Sequence, residues 1–275
     1  MNELVPGTFD HARVRREASP IVALKSDPRF SFTLYVPPEL HADTPILVAI
    51  HGNMRNLIAT RDAFADLARW KNVVVVAPLF PHGVLGDDNK DGFKFIKEGS
   101  IRYDDLLLEI VEQAKQHCGL RARKFALFGF AGGGQFAHRF ALLHPHRLWA
   151  ASIAAPGSVT LLDDSKKWWV GIKDVNEVLG MEIDREALAR LPIHLVVGDA
   201  DVDPGTNDQS HVWMPGGRDA GETAMERLRS LEASLRAQGV EVEFSVMPRK
   251  GHVLADLVPA SKDFFARHLP QSVAT

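Results

Sequence analysis

The sequence predicts a mostly parallel, doubly wound α/β sheet that carries one small lid insertion. Two observations lead there: short, continuous apolar and β-branched runs recur along the chain, and longer stretches with apolar residues at three-to-four spacing separate them. Continuous apolar runs belong to strands buried on both faces. Their alternation with helices gives right-handed crossovers that place helices on both sides of a parallel sheet.

The first run, Phe30 to Val36, alternates and is followed by Pro37 and Pro38, which predicts an antiparallel strand near a sheet edge. Further strands are predicted at Ile46 to Ile50, Val73 to Ala77, Lys124 to Phe128, Ala150 to Ala154, Ile193 to Val197 and Val242 to Val246. Helices are predicted at Arg61 to Trp70, Tyr103 to His117, Gln135 to His144, Ala220 to Ala237 and Asp256 to His268. Residues 78–100 and 156–191 are longer than the usual links of such sheets, and long connections are commonly functional. The second holds Trp168 and Trp169 and falls late in the sheet, so it is expected as a lid over the strand ends, within a single domain spanning 1–275.

Composition narrows the function. Apolar residues make up 45% and charged residues 24%, a balance that excludes disorder. With 32 Lys and Arg against 35 Asp and Glu and no clustering of sign, the footprint for nucleic acid or an anionic membrane is missing. The expected partner is a small-molecule substrate, with room left for a homo-oligomer. The longest apolar run, Val73 to Phe80, is less than half of the roughly 20 residues that span a bilayer and contains Pro78. The N-terminal stretch carries acids and no signal-peptide core, so a cytoplasmic location is expected. Cys118 is the single cysteine, which excludes an intramolecular disulfide and a cysteine zinc site. His138, His144 and His146 lack ligand spacing, so neither metal nor cofactor is expected.

The chemistry concentrates in Lys124 to Phe140, which reads as strand, tight glycine turn, helix. It matches neither a P-loop nor G-x-G-x-x-G. It does match the strained G-x-S-x-G nucleophile elbow, as Gly129-Phe130-Ala131-Gly132-Gly133 with alanine at the serine position. Three more segments stand in order around it: His51-Gly52-Asn53-Met54 after a strand, Gly198-Asp199-Ala200-Asp201-Val202-Asp203 after a late strand, and Gly251-His252 after the last core strand.

On these four segments the chain resembles the α/β-hydrolase family, in particular esterases related to polyhydroxybutyrate depolymerases and feruloyl esterases, from about Phe30 to His268. The resemblance implies a Ser-His-Asp site: position 131 for the nucleophile, His252 for the base and Asp201 for the acid, with Asp203 and Asp199 as weaker candidates. It also implies oxyanion donors at the Asn53 or Met54 amide and at the Gly132 amide. A serine hydroxyl attacks poorly until a histidine takes its proton, and a carboxylate fixes that histidine's tautomer.

Ala131 has no nucleophilic atom, so acyl-enzyme formation is not expected from the chain as written. The intact remainder favours an engineered serine-to-alanine replacement over a naturally altered member. Phe130, Trp168, Trp169 and Trp213, the last within segment 208–218, are expected to wall an aromatic or apolar pocket, with Arg55 as a candidate carboxylate contact. The expected function is hydrolysis of a small carboxylic ester or related acyl bond. The alternatives are a lyase or cofactor-independent oxygenase working through a His–Asp dyad, and a ligand-binding pseudoenzyme.

Overall fold

The computed structural model describes residues 9–205 and 213–270. Eleven strands form among them: β1 (Glu17–Ala18), β2 (Val22–Ala23), β3 (Ser31–Val36), β4 (Ile46–Ile50), β5 (Val74–Leu79), β6 (Lys97–Glu98), β7 (Ile101–Arg102), β8 (Phe125–Phe130), β9 (Leu148–Ala154), β10 (Ile193–Gly198) and β11 (Val242–Met247). The helices are α1 (Leu57–Asp62), α2 (Ala65–Lys71), α3 (Tyr103–Cys118), α4 (Gly132–Leu143), α5 (Val175–Leu179), α6 (Arg185–Ala189), α7 (Ala224–Arg236) and α8 (Leu254–Arg267).

The main sheet runs β1-β3-β5-β4-β8-β9-β10-β11, with β2 beside β3. Pairing is parallel from β5 through β11. β3 runs antiparallel to β5 and to the short β1 and β2, as the proline pair after Val36 predicts. The apolar runs are the reason for the layering: every residue of β4 is buried, and β5, β8 and β9 are nearly so. Both faces of these strands must therefore be covered by helices.

The order of strands fixes the place of the site. From β4 the chain moves outward to β5, then returns past β4 to β8 and continues to β11 in the other direction. The loops leaving β4 and β8 thus part to opposite sides, and the crevice between them opens at the carboxyl ends of the strands. Ile50 pairs with Gly129 in that last register, so the loop after His51 and the turn at Ala131 face each other.

Two expectations need revision. The helix predicted over 61–70 is two helices, α1 and α2, broken at Ala63 and Phe64. The 220–237 helix starts only at Ala224, where Thr223 and Glu226 close a capping box. The long connection 78–100 holds a 3-10 turn at Gly92–Phe95 and strand β6, and 156–191 holds the short helices α5 and α6. Cys118 is fully buried, and burial pushes its thiol up to about 12, in keeping with a packing residue.

Candidate active site

Ala131 sits between β8 and α4 with φ 53° and ψ −114°. A non-glycine residue in that region stores about 1–3 kcal/mol of strain, which surrounding structure has to overcome. The surroundings do: the Ala131 N–H donates to the Ala154 carbonyl at 2.9 Å, and its carbonyl accepts the Gln135 N–H at 3.0 Å. The flanking glycines are required by space. A Cβ on Gly129 would lie 2.0 Å from the Gly133 carbonyl oxygen, and one on Gly133 would lie 2.5 Å from that of Ile50. The backbone makes the tight, strained strand-to-helix turn that the glycine pattern predicts, with the Ala131 methyl group at its apex.

His252 follows β11 and Asp201 follows β10, and the parallel pairing of those strands brings them together. The His252 Nδ1 lies 2.8 Å from Asp201 Oδ2. The Asp201 side chain is fully buried, and its other oxygen accepts the Asp203 N–H at 2.9 Å. Burial alone would raise its pKa. The His252 hydrogen bond, the Asp203 N–H and the positive charge of Arg227 hold the carboxyl below its ordinary value instead. Asp199, the third candidate, accepts the Arg249 N–H at 2.6 Å and so braces the histidine loop. Asp203 lies on the far side of the imidazole, with Oδ2 3.2 Å from Nε2. Phe130, the residue before the elbow, lays its ring 4.8 Å from that of His252, centroid to centroid.

The loop after β4 is held by a neutral histidine. His51 accepts the Phe80 N–H on Nε2 at 3.0 Å, which leaves Nδ1 to donate to the Gly52 carbonyl at 2.9 Å. Its full burial lowers its pKa to about 3. Asn53 then reaches over the start of α4: a Cβ on Gly132 would meet Asn53 Oδ1 at 2.5 Å. Met54 turns its side chain to solvent, 89% exposed. Gly132, Asn53 and the elbow are thus brought together as the sequence implies.

Arg55, the candidate carboxylate contact, is tied into the loop after β4. Its guanidinium donates to the carbonyls of Phe80, Asn53 and Lys90 at 3.0, 3.0 and 2.6 Å and lies over the Phe93 ring. Those bonds shape the loop and use three of the five guanidinium N–H donors. Trp168 and Trp169 are buried, at 9% and 5% exposure, and Trp169 packs on Phe95 and the Arg139 guanidinium. Trp169 thus packs the 156–191 segment against Arg139 of α4. Trp213 is 40% exposed, and residues 208–212 of the expected wall lie outside the described residues.

Two groups escaped the sequence reading. Lys94, in the turn before β6, is buried in an ion pair with Asp91, and its Cε would lie 3.0 Å from a Cβ on Gly132. Burial lowers its pKa against the pull of Asp91. No motif marks this lysine, which follows an acidic loop of ordinary surface composition. Arg227 on α7 donates to the carbonyls of Pro156, Asp203, Pro204 and Glu222, at 2.9 to 3.2 Å, and so pins the acid loop. In sequence it is one charged residue on an amphipathic helix.

No protein-family model matches the chain, and no curated protein matches its sequence. Solved structures do match in shape. Poly(aspartic acid) hydrolase-1 from Sphingomonas sp. KT-1 superposes with a TM-score of 0.74 at 21% identity, covering 90% of this chain and 98% of that one. A poly(3-hydroxybutyrate) depolymerase from Bordetella parapertussis gives 0.72 at 21% identity, over 95% and 92%. An S-formylglutathione hydrolase from Agrobacterium tumefaciens gives 0.56 at 19% identity, over 88% and 90%. The architecture of this chain is the α/β-hydrolase fold.

Proposed function

We propose that the crevice is an ester-directed acyl-transfer site of the serine-hydrolase type, in which alanine occupies the nucleophile position. The observation that carries this reading is the elbow itself: a strained φ of 53° at Ala131, kept beside a His252–Asp201 pair at 2.8 Å. Strain of this kind is selected for the direction in which it aims a side chain, and a methyl group gains nothing from being aimed. The hydrolases among the structures of like shape support the same reading.

With serine at position 131, each group has a defined task. The hydroxyl oxygen attacks the acyl carbon while His252 Nε2 takes its proton, and Asp201 holds the imidazole by Nδ1. The carbonyl oxygen gains negative charge and is met by the Gly132 N–H and the amide of Asn53 or Met54. Collapse releases the alcohol, which leaves with the proton from His252. Water then enters by the same base and frees the acid. In the chain as written the first bond cannot form, while the remaining groups still favour binding of an acyl group. The completeness of those groups supports a serine-to-alanine replacement in a working hydrolase.

The test is active-site labelling. The Ala131→Ser protein is expected to take up one equivalent of a fluorophosphonate at position 131 and to give a burst with an activated p-nitrophenyl ester, while the chain as written does neither. Removing such a nucleophile costs on the order of 10⁶ in turnover, so restoring it should be unmistakable. Turnover by the chain as written that disappears in His252→Ala would instead favour non-nucleophilic proton transfer.

A further inference from the structure

The loop after β4 closes as a tight turn in which the Arg55 N–H donates to the Gly52 carbonyl at 3.1 Å, with Asn53 and Met54 between them. Arg55 stands at φ 53°, in the left-handed region, and its guanidinium holds the carbonyls of Phe80 and Asn53, each at 3.0 Å. All of these bonds end on backbone atoms. The turn therefore keeps its shape whatever side chain position 53 carries. Met54 spends its side chain on solvent, whereas Asn53 lays its own over the start of α4.

The missing side chain of Gly132 makes room for it. A Cβ there would lie 2.5 Å from Asn53 Oδ1, 3.0 Å from Lys94 Cε and 3.2 Å from Phe93 Cζ. Phe93 and Lys94 are buried and wall the inner side of this space, with the Lys94 ammonium spent on Asp91, while Asn53 is exposed. A Cβ stands about 2.5 Å from its own amide nitrogen, so the end of the Asn53 amide is within about 5 Å of the Gly132 nitrogen. Donors that converge on one oxyanion at about 2.7–3.1 Å each can stand that far apart. Among the described residues the Asn53 side chain has no hydrogen-bond partner. A half-turn about χ2 exchanges the oxygen and the NH₂ of an amide, so the same position can offer an N–H to an oxygen that gains negative charge.

We propose that the Asn53 side-chain amide is a catalytic group: a third oxyanion donor, whose Nδ2–H meets the substrate carbonyl oxygen as bond formation at position 131 drives charge onto it. The assignment rests on the ester-directed reading of the crevice and adds to the two backbone N–H donors without replacing either. A donor on a fixed turn gains most when the charge is fully developed, so its effect belongs to the transition state and falls on kcat.

The test compares Asn53→Ala and Asn53→Asp in the Ala131→Ser protein, reading kcat and KM for p-nitrophenyl butyrate and the rate of fluorophosphonate labelling. Removing one oxyanion donor costs about 10²–10³ in kcat, and at an exposed side chain we expect about 100-fold, with KM changed less than about twofold and labelling slowed in parallel. Aspartate fills the same space as asparagine but, once ionised, only accepts hydrogen bonds, so it should lose at least as much as alanine. A side chain that merely filled space would spare the aspartate variant, and full activity there overturns the proposal. A kcat within about threefold of the parent in both variants, or a loss confined to KM, overturns it as well. If the Ala131→Ser protein with Asn53 intact takes up no label, the hydrolase reading fails and this assignment fails with it. Labelling that proceeds at the same rate with and without Asn53 overturns the assignment alone.

Discussion

Two histidines near opposite ends of β10 show how little a hydrogen-bond distance says about function. His252, beyond the carboxyl ends of β10 and β11, has Asp201 at 2.8 Å and faces the elbow crevice. His194, the second residue of β10, has Ser152 Oγ at 2.9 Å on Nδ1 and Ser245 Oγ at 3.0 Å on Nε2, and Ser152 donates onward to Ser261. A serine beside a histidine is the pairing sought in a hydrolase, yet here it lies where the core closes. His194, Ser152 and Ser261 are fully buried, and the imidazole stacks on Phe264. The site with chemical prospects has alanine at the elbow, while the serine on His194 Nδ1 is fully buried. Access and backbone strain separate them, because a nucleophile has to be aimed at a space that a substrate can enter.

The comparison can be broken most forcefully by rate. In the Ala131→Ser protein, Asp201→Asn should lower kcat for an activated ester by about 10⁴, since asparagine favours the wrong imidazole tautomer. Ser152→Ala in the same protein should leave kcat and labelling stoichiometry unchanged. If the two substitutions had similar effects on kcat, the division between a working and a structural histidine would fail.

Stability should order the same pair the other way. Ser152→Ala leaves His194 Nδ1 and the Ser261 hydroxyl, both fully buried, short of a partner. Each such loss costs about 1–3 kcal/mol. Urea unfolding should therefore show a lowered midpoint with an unchanged slope. Asp201→Asn keeps a side chain able to accept the Asp203 N–H and borders the crevice, so its stability loss should be the smaller. A larger loss for Asp201→Asn would mean that the His252 loop carries more of the fold than its exposure suggests.

Most of the sheet was legible because its strands are continuous apolar runs, and the elbow was legible because Gly129 and Gly133 answer to steric limits that hold in any such turn. The pairing of His252 with Asp201 was legible because each follows one of two neighbouring apolar runs, β11 and β10. The remainder depended on side-chain direction. Arg55 and Trp169 have the composition of binding residues, but carbonyls of the surrounding loops bind the first and Arg139 of α4 packs on the second. Asp203 is two residues from Asp201, and nothing in an Asp-rich turn says which nitrogen of an imidazole each carboxylate will meet.

The smallest expected effect separates the two centres by their response to acid. Burial lowers the pKa of His194 to about 4, that of His51 to about 3, and that of His138 well below its ordinary value. Each is neutral in the folded protein at a pH where the unfolded chain, titrating near 6.5, binds a proton. Stability from this source is complete above about pH 6.5 and falls as the pH drops toward the folded values, by about 1.4 kcal/mol per unit for each histidine. Asp201 and Asp104, both held below their ordinary values, act in a lower window: what they contribute is present above about pH 4 and lost as the pH falls through the folded pKa. Unfolding free energies measured between pH 7.5 and 5 should therefore slope downward, above the window in which Asp201 and Asp104 titrate. His194→Gln removes one of the three protons and should flatten that slope by about 1.4 kcal/mol per unit, whatever its effect on absolute stability. A slope unchanged by the substitution would mean that water reaches His194, and the contrast with the open crevice at His252 would lose its physical basis.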